Sequence, residues 1–147
     1  MNTDHFTKLK NMYLSSNINT QMYESTTCEI TLEKATISLT IAEKYFHALG
    51  AIHGSVYFKL LDDAAFFAVN SIVEDKFVLT TSFNIKFLRP ISSGIITAIG
   101  NVLSKSETGF VAESTLYNEA GKKIAYGTGN FVKSKIDLSD IIEYCKS

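Results

Sequence analysis

Two neighbouring acids, Asp62 and Asp63, sit in a stretch from Gly54 to Val73 that otherwise holds a single charge, Lys59, and no proline. Taking a carboxylate out of water without a partner is costly, so an acid kept in apolar surroundings calls for a chemical reason. Asp62 is the candidate. As a general base it would deprotonate a water attacking a carbonyl carbon; as a nucleophile it would form a mixed anhydride, and residue type alone does not choose. Lys59 offers Asp63 an i,i+4 pair and Asp62 an i,i+3 pair, so a salt-bridged outer face is the plain alternative, stronger for Asp63. The stretch opens with His53-Gly54-Ser55. A helix starting there presents unpaired N–H groups and partial positive charge, which suit a carbonyl oxygen turning negative in a tetrahedral transition state. Gly54 allows close backbone approach, and Ser55 keeps its backbone N–H while also being an ordinary helix-start residue. His53 is expected to position the turn.

Those residues need a scaffold, and the hydrophobic pattern describes one. Projected at about 100° per residue, Gly54 to Val73 places Leu60, Leu61, Ala64, Ala65 and Ala68 on one side and Ser55, Lys59, Asp62, Asp63 and Asn70 on the other. This is a nearly buried helix with a narrow polar stripe. Phe6, Leu9, Tyr13 and Leu14 recur behind Thr3 and Asp4 and predict a short amphipathic helix over about 4–15. From Glu29 to Ile41 apolar residues alternate, with a parity change at Glu33-Lys34 that implies a bulge or bend. Phe77 to Leu88 alternates strictly and ends at Arg89-Pro90; 95–103, 110–118 and 123–133 follow as further strands. Gly127 and Gly129, inside the last, mark a bulge or a close backbone approach. One apolar helix between a first strand and a four-strand meander is an α+β pattern, a single domain over 1–147 whose sheet curls around its helix.

The bulk numbers remove several functions. A net charge of -1 over 147 residues, with scattered Lys and Arg, excludes the basic footprint of a nucleic-acid binder. Met1 to Leu14 mixes charge with apolar residues and carries neither a secretory signal nor a membrane anchor, so a cytoplasmic protein without a membrane partner is expected. Cys28 and Cys145 lack metal-ligand spacing and are expected to be reduced, no metal site is expected, and His5 carries no assigned role.

Together, the element order and Gly50-Ala51-Ile52-His53-Gly54-Ser55 followed by Leu60-Leu61-Asp62-Asp63-Ala64 resemble the hotdog fold, and within it the PaaI-like acyl-CoA thioesterases. That family carries Asn-x-x-Gly-x-x-His-Gly-Gly, with an acid nine residues after the His in many members, the spacing of His53 to Asp62. Phe87-Leu88-Arg89-Pro90 and Ala125-Tyr126-Gly127-Thr128-Gly129 resemble two further segments of these enzymes. The resemblance implies hydrolysis of acyl-CoA to free acid and CoA without a separate cofactor. It implies a homodimer or homotetramer in which Asp62 of one subunit faces the His53-Gly54 turn of another. His47 stands where the family has the Asn that orients water or the acid, and Ser55 replaces its second Gly. Thr80 resembles a hydroxyl residue that sits beside the acid in some relatives, and Arg89 and Lys135 are candidates for the CoA phosphates. A non-catalytic acyl-CoA binder is the alternative if His47 removes activity. A hotdog hydratase or dehydratase is disfavoured, because the Asp five residues before a catalytic His is missing and position 48 is Ala.

Overall fold

The computed structural model describes residues 3–146, arranged as one antiparallel sheet around a central helix. Helices α1 (Thr3–Leu14) and α2 (Asn17–Gln21) precede strands β1 (Thr27–Thr31) and β2 (Lys34–Thr40). The central helix α3 (Gly54–Asn70) leads into β3 (Lys76–Phe87), β4 (Ile95–Lys105), β5 (Gly109–Tyr117) and β6 (Lys123–Asp137), and a short α4 (Ile142–Cys145) closes the chain. The sheet order is β1-β2-β4-β5-β6-β3, every pair antiparallel. Helix α3 lies against β2, β4, β5, β6 and β3. The arrangement is the α+β hotdog: a curled sheet wrapped around one long helix.

Burial explains the wrap. Leu60, Leu61, Ala64, Ala65 and Ala68 on α3 are fully buried, as are Ile37, Leu39, Ile96 and Leu116 on the strands facing them. Small side chains on α3 bring its backbone close to the sheet. Gly100 of β4 marks the tightest point: a Cβ placed there would come within 2.3 Å of the Ala64 carbonyl oxygen. Ser114 of β5 donates its hydroxyl to the Leu61 carbonyl at 2.7 Å, so the helix backbone is also bonded to the sheet.

Three details depart from the sequence expectations. The parity change at Glu33-Lys34 is a hairpin: Thr31 pairs with Lys34, Glu33 takes φ 61°, and the sheet therefore has six strands where five were expected. The side-chain period cannot distinguish a bulge from a two-residue turn when both reverse parity. Asn70, assigned to the polar stripe, is fully buried and ends α3 before Val73. Its amide donates to the carbonyls of Val73 and Lys76 and accepts from the Val78 N–H, so the side chain does the bonding that another helical turn would do. His5 is also buried, bonded to the Tyr144 hydroxyl at 2.7 Å and the Asn70 carbonyl oxygen at 2.8 Å. It thereby ties α1 and α4 to the end of α3.

Gly127 and Gly129 do sit at a close approach. Phe83 lies over both, and a Cβ at either would come within 2.5 Å of its ring. Strand β3 occupies one edge of the sheet, with Leu79, Phe87 and the following Leu88 exposed along it. Among the described residues no helix is long and apolar enough to cross a membrane.

Candidate active site

Asp62 projects from α3 toward β3, where the Thr80 hydroxyl donates to its Oδ1 at 2.8 Å. Thr80 can do this because of an irregularity that strict alternation conceals. In β3, Thr80 pairs with Phe131 and Ser82 with Asn130, so Thr81 is an extra residue. The bulge reverses parity: Val78 and Thr80 turn inward before it, and Phe83 and Ile85 pack inward after it. Burial pushes the Asp62 carboxyl up to about 6, opposed by the Thr80 hydrogen bond, reinforced by the charge of Asp63 and eased by Lys59. The result is a carboxylate poised near neutrality.

Asp63 has a different environment. Lys59 bonds its Oδ2 at 2.7 Å, and the Tyr13 hydroxyl donates to the same oxygen at 2.7 Å. Lys59 also donates to Asn19 at 2.9 Å and lies 4.6 Å from the centre of the Tyr23 ring. Burial and then the Asp63 charge hold the Tyr13 phenol far above its ordinary range, so it stays protonated and serves as a donor. The i,i+4 pairing therefore goes to Asp63, and Asp62 has Thr80 as its hydrogen-bond partner. In the sequence Tyr13 stands out only as a packing residue of the N-terminal helix, and Asn19 carries no pattern that marks it. The unusual burial of a lysine could not be seen without the fold.

The turn at the start of α3 is built by His53. Its Nδ1 accepts the Ser55 N–H at 3.1 Å and lies 2.8 Å from the Ser55 hydroxyl, capping the helix. Ser55 was expected to keep its N–H for a ligand; the imidazole cap occupies it instead. Val56 N–H goes to the His53 carbonyl. The Gly54 N–H has no hydrogen-bond partner among the described residues, which makes it the available donor of this turn. Phe87 packs against Gly54, since a Cβ there would lie 3.4 Å from its ring, and also meets Tyr57 edge-on at 5.5 Å. The Tyr57 hydroxyl donates to the Arg89 carbonyl at 2.6 Å and holds the chain after β3 beside the turn. His47, Gly54, Tyr57, Phe87 and Arg89 thus border one cleft of about 310 Å³. His47 is exposed, its Nδ1 accepting the Leu49 N–H at 3.1 Å.

Asp62 and the Gly54 turn do not share a cleft within one chain. Asp62 comes eight positions after Gly54 in α3, about 12 Å along the axis at the usual helical rise. Asp62 and Thr80 border another cleft, about 370 Å³ in volume, lined by Met12, Phe66, Phe77 and Leu79 among others. Arg89 lies at the turn, whereas Lys135 is exposed at the opposite end of the β3–β6 ladder. Phe87 pairs with Ala125, and the ten residues from there to Lys135 span roughly 33 Å of strand. The two residues expected to contact phosphate, Arg89 and Lys135, are therefore far apart within the chain.

Comparison with known proteins adds the context. Residues 49–125 match the profile of the Thioesterase superfamily. A curated protein of Saccharolobus solfataricus, named "Putative esterase", is 29% identical over 90 residues, 61% of this chain and 60% of that protein. This chain thus aligns with about three-fifths of that relative's length. Among solved structures, the Escherichia coli PaaI protein from the phenylacetic acid degradation operon superposes with a TM-score of 0.82 at 19% identity. That match covers 92% of this chain and 96% of the other. A thioesterase from Haemophilus influenzae gives 0.71 at 19% identity, covering 83% and 85%. At these identities the structures speak for the fold.

Proposed function

Since the chain belongs to the thioesterase superfamily, we propose that it hydrolyses acyl-CoA thioesters at a site shared between two copies of itself. The observation that carries the proposal is Asp62: a carboxylate raised to about 6 by burial, fixed by Thr80 and bordering an apolar cleft. Such a group is basic enough to take a proton yet ionised at neutral pH. Asp62 accepts a proton from water, the hydroxide adds to the thioester carbon, and the Gly54 N–H of a second copy stabilises the resulting oxyanion. Collapse breaks the C–S bond and releases CoA thiolate, which then takes up a proton. Attack by Asp62 itself would give a mixed anhydride that water cleaves, and label found in Asp62 after a single turnover in ¹⁸O water would identify that route. A thiolate leaves readily, so the proposed reaction uses no metal or cofactor. His47 contributes a hydrogen bond to water or carbonyl from the turn side, and Arg89 contacts CoA phosphate. Lys135 reaches CoA only if the second copy brings it there.

Measuring CoA release from a panel of acyl-CoAs tests this reading. Asp62→Asn is expected to lower turnover by about 10²-fold or more, the usual scale for losing a positioned base, while acyl-CoA still binds. Asp63→Asn, which removes the partner of Lys59, is expected to weaken folding more than chemistry. Full turnover in Asp62→Asn with loss in Asp63→Asn would exchange the two roles. Binding without turnover in the wild type would instead leave an acyl-CoA-binding protein.

A further inference from the structure

The cleft at Asp62 adjoins a second cavity. Met12 and Ser16 from the α1–α2 corner and Phe77 from β3 line it, and the same three residues line a second cavity of about 300 Å³ on their other side. These three side chains therefore stand between the two spaces. Their characters differ. Near Asp62 the lining is chiefly apolar, with Phe66, Phe67 and Leu79, whereas the second cavity is bordered by Ser15, Asn17 and Glu143 together with Ile141.

The dividing side chains are fixed relative to Asp62. Met12 is buried, and its neighbour Tyr13 is bonded to Asp63, the residue after Asp62. Asn19 donates to the Tyr13 carbonyl at 2.8 Å and accepts from Lys59, so the α1–α2 corner is fastened to α3 from two sides. Phe77 is held by Phe66, ring centres 5.4 Å apart.

We infer that Met12 and Phe77 form an end wall that sets the acyl length this protein accepts, the Asp62 cleft taking a short, medium-chain or aryl acyl tail and rejecting long chains. This rests on the thioesterase reading and adds to it which end of the substrate lies where. Phe66, Phe67, Phe77, Val78 and Leu79 make the cleft chiefly apolar, and the Lys59 beside it is taken up by Asp63, so the cleft favours the apolar tail and the charge of Asp62 disfavours the anionic CoA portion. Arg89 on the opposite cleft provides the cation for the CoA end. A tail long enough to pass the wall would enter a space bordered by Glu143 and lose the benefit of apolar burial.

The test is kcat/KM for saturated acyl-CoAs from acetyl to palmitoyl, with phenylacetyl-CoA alongside, on wild type, Met12→Ala and Met12→Phe. Wild-type efficiency is expected to rise with chain length and then fall. Met12→Ala should move the optimum to longer chains, raising the long-to-medium ratio by at least about tenfold, since each newly buried methylene contributes about fourfold. Met12→Phe should move it to shorter chains. If Met12→Ala does not fold, Met12→Phe and Phe77→Leu carry the test in opposite directions. A profile that does not move with any folded variant overturns the end wall. If the wild type hydrolyses no acyl-CoA, the catalytic reading fails. The wall is then judged by affinities of non-hydrolysable acyl-thioether CoA analogues in the same variants: a shifted length limit supports it and an unmoved one overturns it.

Discussion

The two adjacent carboxylates of α3 show how much a single position on a helix decides. Asp63 faces α1 and is paired with Lys59 and Tyr13; Asp62, about 100° round the helix, faces β3, and burial raises its carboxyl. The raised carboxyl has two opposite consequences for pH dependence. For catalysis, kcat/KM is expected to fall about tenfold per pH unit below about 6 and to level off above it, because the base must be ionised. A pH-rate profile whose acid limb breaks near the ordinary Asp value, 3.8, would contradict this. For folding the sign is reversed. The carboxyl holds its proton more tightly in the folded chain, so its contribution is fully favourable below about pH 4, is lost as pH rises through about 6, and stays lost above. Asp62→Asn should therefore be more stable than wild type at pH 7 by on the order of 1–2 kcal/mol, discounted because the group is only partly buried. The gain should vanish at pH 4, as paired urea titrations at the two pH values would show. Asp62 could be nominated from the sequence because a charge in an apolar helix stands out. What separates it from Asp63 is contact with β3 and α1, distant in sequence, and no local spacing encodes that.

At the scale of elements, the legible features were those with one strong period. Helix α3 and strands β4 to β6 lie where apolar spacing puts them, and Gly127 and Gly129 mark a close approach, filled by Phe83. The features missed are reversals of parity. The β1–β2 hairpin and the Thr81 bulge each turn side chains over through one or two residues, Leu32-Glu33 and Thr81, that carry none of the usual turn or bulge glycine. The bulge shapes the candidate site, since without it Thr80, bonded to Asp62, and Phe83 could not both face inward. Gly100 was likewise unremarkable in sequence, sitting in an alternating strand, yet it is where helix and sheet touch most closely. Gly100→Ala should cost about 3 kcal/mol of stability, read from the urea midpoint, because the added methyl meets helix backbone instead of a movable side chain. Ala98→Gly, two residues away on the same face, removes a methyl without a clash and should cost less.

At the scale of the molecule, the proposed site falls into two parts within one chain, and the sheet has an open edge. Asp62 and the Gly54 N–H face different clefts, and β3, beside both, presents an unpaired strand edge with Leu79 and Phe87 exposed. Edges of this kind are usually paired or protected. Edge-to-edge pairing across a two-fold axis would join the halves. Gly54→Pro should remove the available N–H while keeping the helix, since proline is tolerated at the first helical position. Asp62→Asn and Gly54→Pro proteins, each inactive alone, should regain about a quarter of wild-type activity after mixing in equal amounts and exchanging subunits. Half of the dimers are then mixed, each with one intact site. No recovery between folded, exchanging chains would place both halves in one protomer. The open edge of β3 also carries a consequence by mass action under the proposed shared site. If the second copy both covers that edge and completes the site, dilution removes stability and activity through the same dissociation, so the melting temperature and the specific activity should decline together over one range of protein concentration.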